Sequence, residues 1–281
     1  MTGEPMEKKI EMLNVPGARL YTETRGSGPL LVCIVGGNGD AESFGRLAAL
    51  LARQFTVVAY DRRGYARSPL DAPVDDAARL ALDADDAMRV IERHGGPAYV
   101  LGSSSGAIVG LDLLARSPGC IRKLVAHEPP LVTLLPDAAH WLAMFEHVHA
   151  TYLASGVEAA MAEFGPAVGM PVLRPPPSMQ LSPEIAAMLA RLPENRAFWL
   201  ARELRTYPRF APDLAALRAA AGQLVLAVGR EPPDAPLARP ARVLAASLGV
   251  RLVEFVGGHV GYAVDPVAFA AELAPLLTAS P

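Results

Sequence analysis

Lysine is nearly missing from this chain. Lys8, Lys9 and Lys123 are the only three in 281 residues, every other basic side chain being arginine, and 26 basic against 29 acidic residues leave a net charge of −3. With no basic field to hold it, the chain is expected to bind neither nucleic acid nor an anionic lipid surface. Cysteine is scarce too. Cys33 and Cys120 are too few for a disulfide scaffold and neither belongs to a CxxC pair, so both read as buried free thiols. Nowhere do roughly 18 uncharged apolar residues run together, which excludes a membrane-spanning helix. The opening MTGEPMEKKIEML lacks the apolar segment of a secretory signal, so a cytoplasmic location is expected. No fixed-period repeat is present. The composition is otherwise that of a globular protein, 51% hydrophobic and 20% charged, long enough for one large α/β domain or two small ones.

Short β-branched or apolar runs alternate with longer amphipathic ones, the pattern of a parallel sheet covered by helices. The runs 8–15 and 18–25 predict a half-exposed hairpin around Pro16-Gly17. LLVCIV (30–35) is apolar throughout, as a strand buried on both faces must be. FTVVAYD (55–61), AYVLGS (98–103), KLVAHE (123–128), QLVLAVG (223–229) and RLVEFVG (251–257) complete eight strands, and helices are predicted over 43–54, 74–95, 105–117, 236–249 and 267–277. From about 130 to 215 no strand is evident, and the excursion is too long for a loop. It predicts a helical insertion over one edge of the sheet, containing a helix over 137–153 and a proline-rich joint at 171–177. The expected division is a core of 1–130 and 216–281 with a helical cap of 131–215.

Gly102-Ser103-Ser104-Ser105-Gly106 fits G-x-S-x-G between the strand AYVLG and the helix AIVGLDLLA. Lifting a hydroxyl out of a strand-to-helix turn requires a strained positive φ at the serine. The residues two places away then approach so closely that only glycine fits. Ser104 is therefore the candidate nucleophile. Of the six histidines, His94 ends a polar helix, His127 lies in a core strand, and His140, His147 and His149 fall in the insertion. No H-E-x-x-H spacing accompanies His140 and His147, so no metal is expected. His259 follows Gly257-Gly258 at a strand's carboxyl end, where an imidazole can meet a serine from another strand. A dinucleotide site at Gly37-Asn38-Gly39 is disfavoured, because Glu42 stands where the third glycine would approach a pyrophosphate.

On these residues the chain resembles the α/β-hydrolase superfamily over nearly its whole length. Gly36-Gly37-Asn38-Gly39 stands where that family has an HG-x-G turn, with Gly36 in place of histidine. Asp61-Arg62-Arg63-Gly64-Tyr65-Ala66-Arg67-Ser68 is similar to its D-x-R-G-x-G-x-S segment, with Ala66 at the second glycine, and Gly257-Gly258-His259 matches its histidine turn. The resemblance implies a mostly parallel, helix-flanked eight-stranded sheet and a nucleophile–histidine–acid triad of Ser104, His259 and an acid. After QLVLAVG the family commonly places aspartate three residues past the glycine, but Pro232 stands there, between Glu231 and Asp234. Glu128, directly after KLVAH, is where a minority of relatives put the acid. It is the favoured candidate, with Asp234 and Glu231 as alternatives. The oxyanion donors would be the backbone N–H groups of Asn38 and Ser105.

Trp141, Met144, Phe145 and Tyr152 recur at helical spacing, and part of that stripe, Trp141 and Phe145 above all, is expected to line the approach to Ser104. The function expected is hydrolysis of an apolar carboxylic ester or lactone through an acyl-enzyme, without cofactor or metal. The partner is a small, apolar substrate, and a homodimer is allowed. Carbon–carbon bond hydrolysis and perhydrolysis use similar triads, while a serine nucleophile argues against haloalkane dehalogenation. A non-catalytic small-molecule binder on the same fold is the alternative of another class.

Overall fold

A computed structural model describes residues 7–170, 180–232 and 235–279. The strands are β1 (Lys9–Val15), β2 (Ala18–Arg25), β3 (Leu30–Ile34), β4 (Thr56–Tyr60), β5 (Ala98–Ser103), β6 (Ile121–His127), β7 (Leu224–Gly229) and β8 (Arg251–Phe255). The helices are α1 (Gly45–Leu51), α2 (Arg79–Arg93), α3 (Ser105–Arg116), α4 (Ala138–Ala167), α5 (Pro183–Arg202), α6 (Leu214–Ala219), α7 (Arg239–Leu248), α8 (Gly261–Val264) and α9 (Pro266–Thr278). One eight-stranded sheet runs in the order β1-β2-β4-β3-β5-β6-β7-β8. β2 is antiparallel to both its neighbours and every other pairing is parallel.

Each predicted strand is present, and the uniformly apolar run at β3 is buried at every position. Successive side chains of a strand face opposite ways, and the core divides accordingly. Val32 and Ile34 pack with α2, α3 and α7 on one face, while Leu31, Cys33 and Val35 pack with α1 and α9 on the other. Cys33 is fully buried, and burial pushes its thiol up to about 12. Cys120 is only half-buried, contrary to expectation, because it sits in the short turn that precedes β6.

Between β6 and β7 come α4, α5 and α6 with no strand among the described residues. The helix expected over 137–153 continues as α4 to Ala167, broken at Gly156, whose φ of 86° interrupts the helical path. α5 starts on a Ser182 cap with Pro183 in its first turn, an arrangement suited to a helix start. The proline-rich stretch 171–177 lies outside the described residues. No described helix is long and apolar enough to cross a membrane.

Candidate active site

The parallel pairing of β5 with β6 and of β6 with β7 sets Ser103, His127 and Ala227 side by side, so the next residues leave the sheet together at its carboxyl edge. Ser104 donates its backbone N–H to the His127 carbonyl at 2.9 Å, and Glu128 donates its own to Ala227 at 2.9 Å. Both residues take left-handed backbones, φ 56° at Ser104 and 48° at Glu128. For non-glycine residues that is strain of order 1–3 kcal/mol each, of the kind that collects at functional sites.

Close packing makes the elbow's glycines obligatory. A methyl on Gly106 would lie 2.1 Å from the Ile34 carbonyl oxygen, and one on Gly102 would lie 2.5 Å from that of Gly106. Gly36 also faces Ser104, since a methyl there would be 2.9 Å from the serine Cβ. Ser104 occupies the cap position of α3 yet caps nothing, although a serine there ordinarily accepts from the first-turn amides. Among the described residues its hydroxyl and the Ser105 backbone N–H are thus both left open. The Asn38 amide, in the turn closed by the bond from Gly39 N–H to the Gly36 carbonyl at 3.0 Å, likewise has no acceptor among the described residues.

His259 follows β8 in a turn that packs glycine on glycine, and a methyl on Gly229 would meet Gly258 Cα at 2.5 Å. This brings the imidazole over the end of β6. There His259 Nδ1 donates to Glu128 Oε2 at 2.7 Å, while Glu128 Oε1 accepts the Gly229 N–H at 2.7 Å. Glu128 is 1% exposed and His259 12%. Burial alone would raise the Glu128 pKa. The bond from His259, the charges of His259 and His127 and the Gly229 amide outweigh it and hold the carboxyl down at about 2. The carboxylate thereby fixes the ring at Nδ1. His259 Nε2 and Ser104 Oγ have no hydrogen-bond partner among the described residues.

Of the alternative acids, Glu231 is exposed on the turn after β7 and Asp234 lies outside the described residues. Of the remaining histidines, four are held away from this pair and His127 lies beside it. His94 lies between Thr24 and the Val90 carbonyl, His149 meets the Leu200 carbonyl, His147 faces Glu163, and His140 packs edge-on to Trp141. His127 is fully buried among Phe255, Tyr262 and Phe269 with neither ring nitrogen bonded among the described residues, and burial drives its pKa down to about 4. Among the described residues no cluster of three or more histidine, cysteine, aspartate or glutamate side chains could hold a metal. Asp61 spends both carboxylate oxygens on the Ala41 amide and on Arg67, leaving none for a ribose.

The aromatic stripe of the insertion forms a cluster against which Trp199 of α5 also packs. Trp141 and Phe145 are buried in the insertion's own core, with Val148, Phe164, Leu200 and Leu204. Trp199 of α5 reaches the glycine turn, where a methyl on Gly37 would lie 2.6 Å from its indole, and Tyr65 packs on Gly39 of the same turn. Sequence reading passed over Trp199 because α5 shows no stripe that sets it apart from core packing.

Comparison with known proteins agrees with this architecture. The model of the alpha/beta hydrolase family matches residues 31–272. The uncharacterized hydrolase YraK of Bacillus subtilis is 32% identical over 271 residues, 94% of each chain. The serine hydrolase BPHL of Homo sapiens is 34% identical over 117 residues, 40% of each chain. Among solved structures, an alpha/beta hydrolase from Sphaerobacter thermophilus superposes with a TM-score of 0.66 at 26% identity, covering 96% of this chain and 100% of that one. With the family's pattern running through most of its length and a relative matched nearly end to end, the chain belongs to the alpha/beta hydrolase family.

Proposed function

We propose that this hydrolase cleaves carboxylic esters or lactones by a serine acyl-enzyme mechanism. The observation that carries the reading is the 2.7 Å bond from His259 Nδ1 to the buried Glu128, one strand over from the Ser104 hydroxyl on its strained elbow. Ser104 Oγ attacks the carbonyl carbon as His259 Nε2 takes its proton, and the imidazolium that forms is stabilised by Glu128. The oxyanion is received by the Asn38 and Ser105 amides, worth about 3 kcal/mol each. The proton then passes from His259 to the leaving oxygen, and water, deprotonated by the same ring, releases the acid. The 34%-identical stretch of a serine hydrolase supports the nucleophile class.

The Trp199 indole against Gly37 favours an apolar acyl group. A series of p-nitrophenyl esters of increasing acyl length, run beside simple lactones, tests the reading and reports the pocket's size. Turnover that vanishes in Ser104→Ala supports it. A wild type that binds these compounds and turns over none refutes it in favour of a binding module.

A further inference from the structure

The sequence pattern D-x-R-G leaves its second position open, and here that position is Arg62, whose side chain is 0% exposed. Its guanidinium lies behind the glycine turn and joins three parts of the molecule. Nη1 donates to the Gly36 carbonyl at 3.3 Å and to Glu203 Oε2 at 3.1 Å. Nη2 donates to Glu203 Oε1 at 2.8 Å, to Tyr207 Oη at 3.0 Å and to Asp83. Glu203 caps the carboxyl end of α5, Tyr207 lies in the turn beyond, and Asp83 belongs to α2. Burial opposes the charge on Arg62, but Asp83 and Glu203 outweigh it and keep the group protonated.

The Gly36 carbonyl is the first acceptor of the β-turn Gly36–Gly39, and the Gly39 N–H takes one of its lone pairs. Arg62 takes the other. A peptide is planar, so clamping this carbonyl fixes the plane from which the turn departs, and the turn's closure by the Gly39 N–H carries that orientation across Gly37 to the Asn38 N–H. A planar five-donor fork can hold a carbonyl and a carboxylate at once; an ammonium cannot do so with the same geometry.

We propose that Arg62 is a positioning residue that aims the oxyanion-binding turn and couples it, through Glu203, to the seating of α5. The inference rests on the serine-hydrolase reading above. Its signature is an interaction gained only at the tetrahedral stage, so its loss lowers kcat and leaves KM nearly unchanged.

The test is Arg62→Lys, with kcat expressed per serine labelled by a fluorophosphonate so that unfolded molecules do not count. The expected result is a 10- to 100-fold fall in kcat with KM within about threefold, and a matching rise in the Ki of an alkyl boronic acid that forms a tetrahedral adduct. Tyr207→Phe keeps every charge in place and removes one acceptor from the fork. It serves if the lysine variant does not fold, and a fall of about three- to tenfold of the same kind is expected. A kcat per labelled serine within twofold of wild type in the folded variants, or a rise in KM alone, overturns the role of Arg62. A wild type that is neither labelled nor active overturns the underlying reading instead, and this proposal with it.

Discussion

Replacing Glu128 by glutamine removes one charge and almost no volume. The carboxylate is 1% exposed, and its pKa stands at about 2 against an ordinary 4.5 although burial pushes the other way. That depression of about 2.5 pH units corresponds to about 3 kcal/mol of preference for the ionised form. Much of this is made with His259, so an imidazolium formed during acylation loses comparable support in Glu128→Gln, a fall in kcat of about 10²-fold. A glutamine can also turn its NH2 toward Nδ1 and stabilise the wrong tautomer, which raises the expected loss toward 10⁴-fold, as with the equivalent change in serine proteases. The Gly229 N–H can keep an amide oxygen as acceptor, so the fold should survive. The assay is kcat on p-nitrophenyl butyrate at pH 8, with the thermal midpoint measured in parallel. A loss under tenfold in a variant that melts like wild type would refute the assignment. Asp234→Asn, measured beside it, should stay within about threefold; its collapse would move the acid to the turn after β7.

Ser104→Gly should melt higher than Ser104→Ala, because the φ of 56° that strains alanine suits glycine; equal or reversed midpoints in thermal unfolding would contradict strain at the elbow. Gly106→Ala drives a methyl to 2.1 Å from the Ile34 carbonyl and should cost at least about 3 kcal/mol in urea titration, whereas an unchanged midpoint would contradict the packing. The folded His127 pKa of about 4 lies below its ordinary 6.5, so the unfolded chain binds the proton first as pH falls. Stability is intact above pH 6.5 and drops by about 3 kcal/mol on the way to pH 4, and Glu128 adds a further loss between 4.5 and 2. His127→Phe, filling the same aromatic enclosure, should abolish the first of these losses in denaturation curves taken across that range; an unaltered slope would place the titration elsewhere.

The central strands β3 to β7 were legible because burial on both faces demands nearly unbroken apolar runs, whereas the half-exposed β1 and β2 were legible from the turn at Pro16-Gly17 between them. The elbow was legible because packing at Gly102 and Gly106 permits no side chain. Glu128 was favoured from its place at a strand end, but its left-handed backbone had no signal in residue type, glutamate being neither glycine nor asparagine. Ala66 is a similar case. It stands at the second glycine of its pattern and still adopts φ 45°, with its N–H held at 2.9 Å by Asn195 Oδ1 of α5. The insertion was harder to read. Trp141 and Trp199 both sit on helices among apolar neighbours, and only the path of α5 across the glycine turn distinguishes the one that touches it. The role of Arg62 depends on Glu203, 141 residues away, and no local pattern encodes that contact.

Every step of the proposed mechanism requires an activated hydroxyl at Ser104. Intact-protein mass after brief exposure to a fluorophosphonate, with peptide mapping, measures it directly. A single adduct on Ser104, formed far more slowly in His259→Ala and not at all in Ser104→Ala, is the predicted result. An unmodified wild type, or an adduct on another residue, would contradict the account.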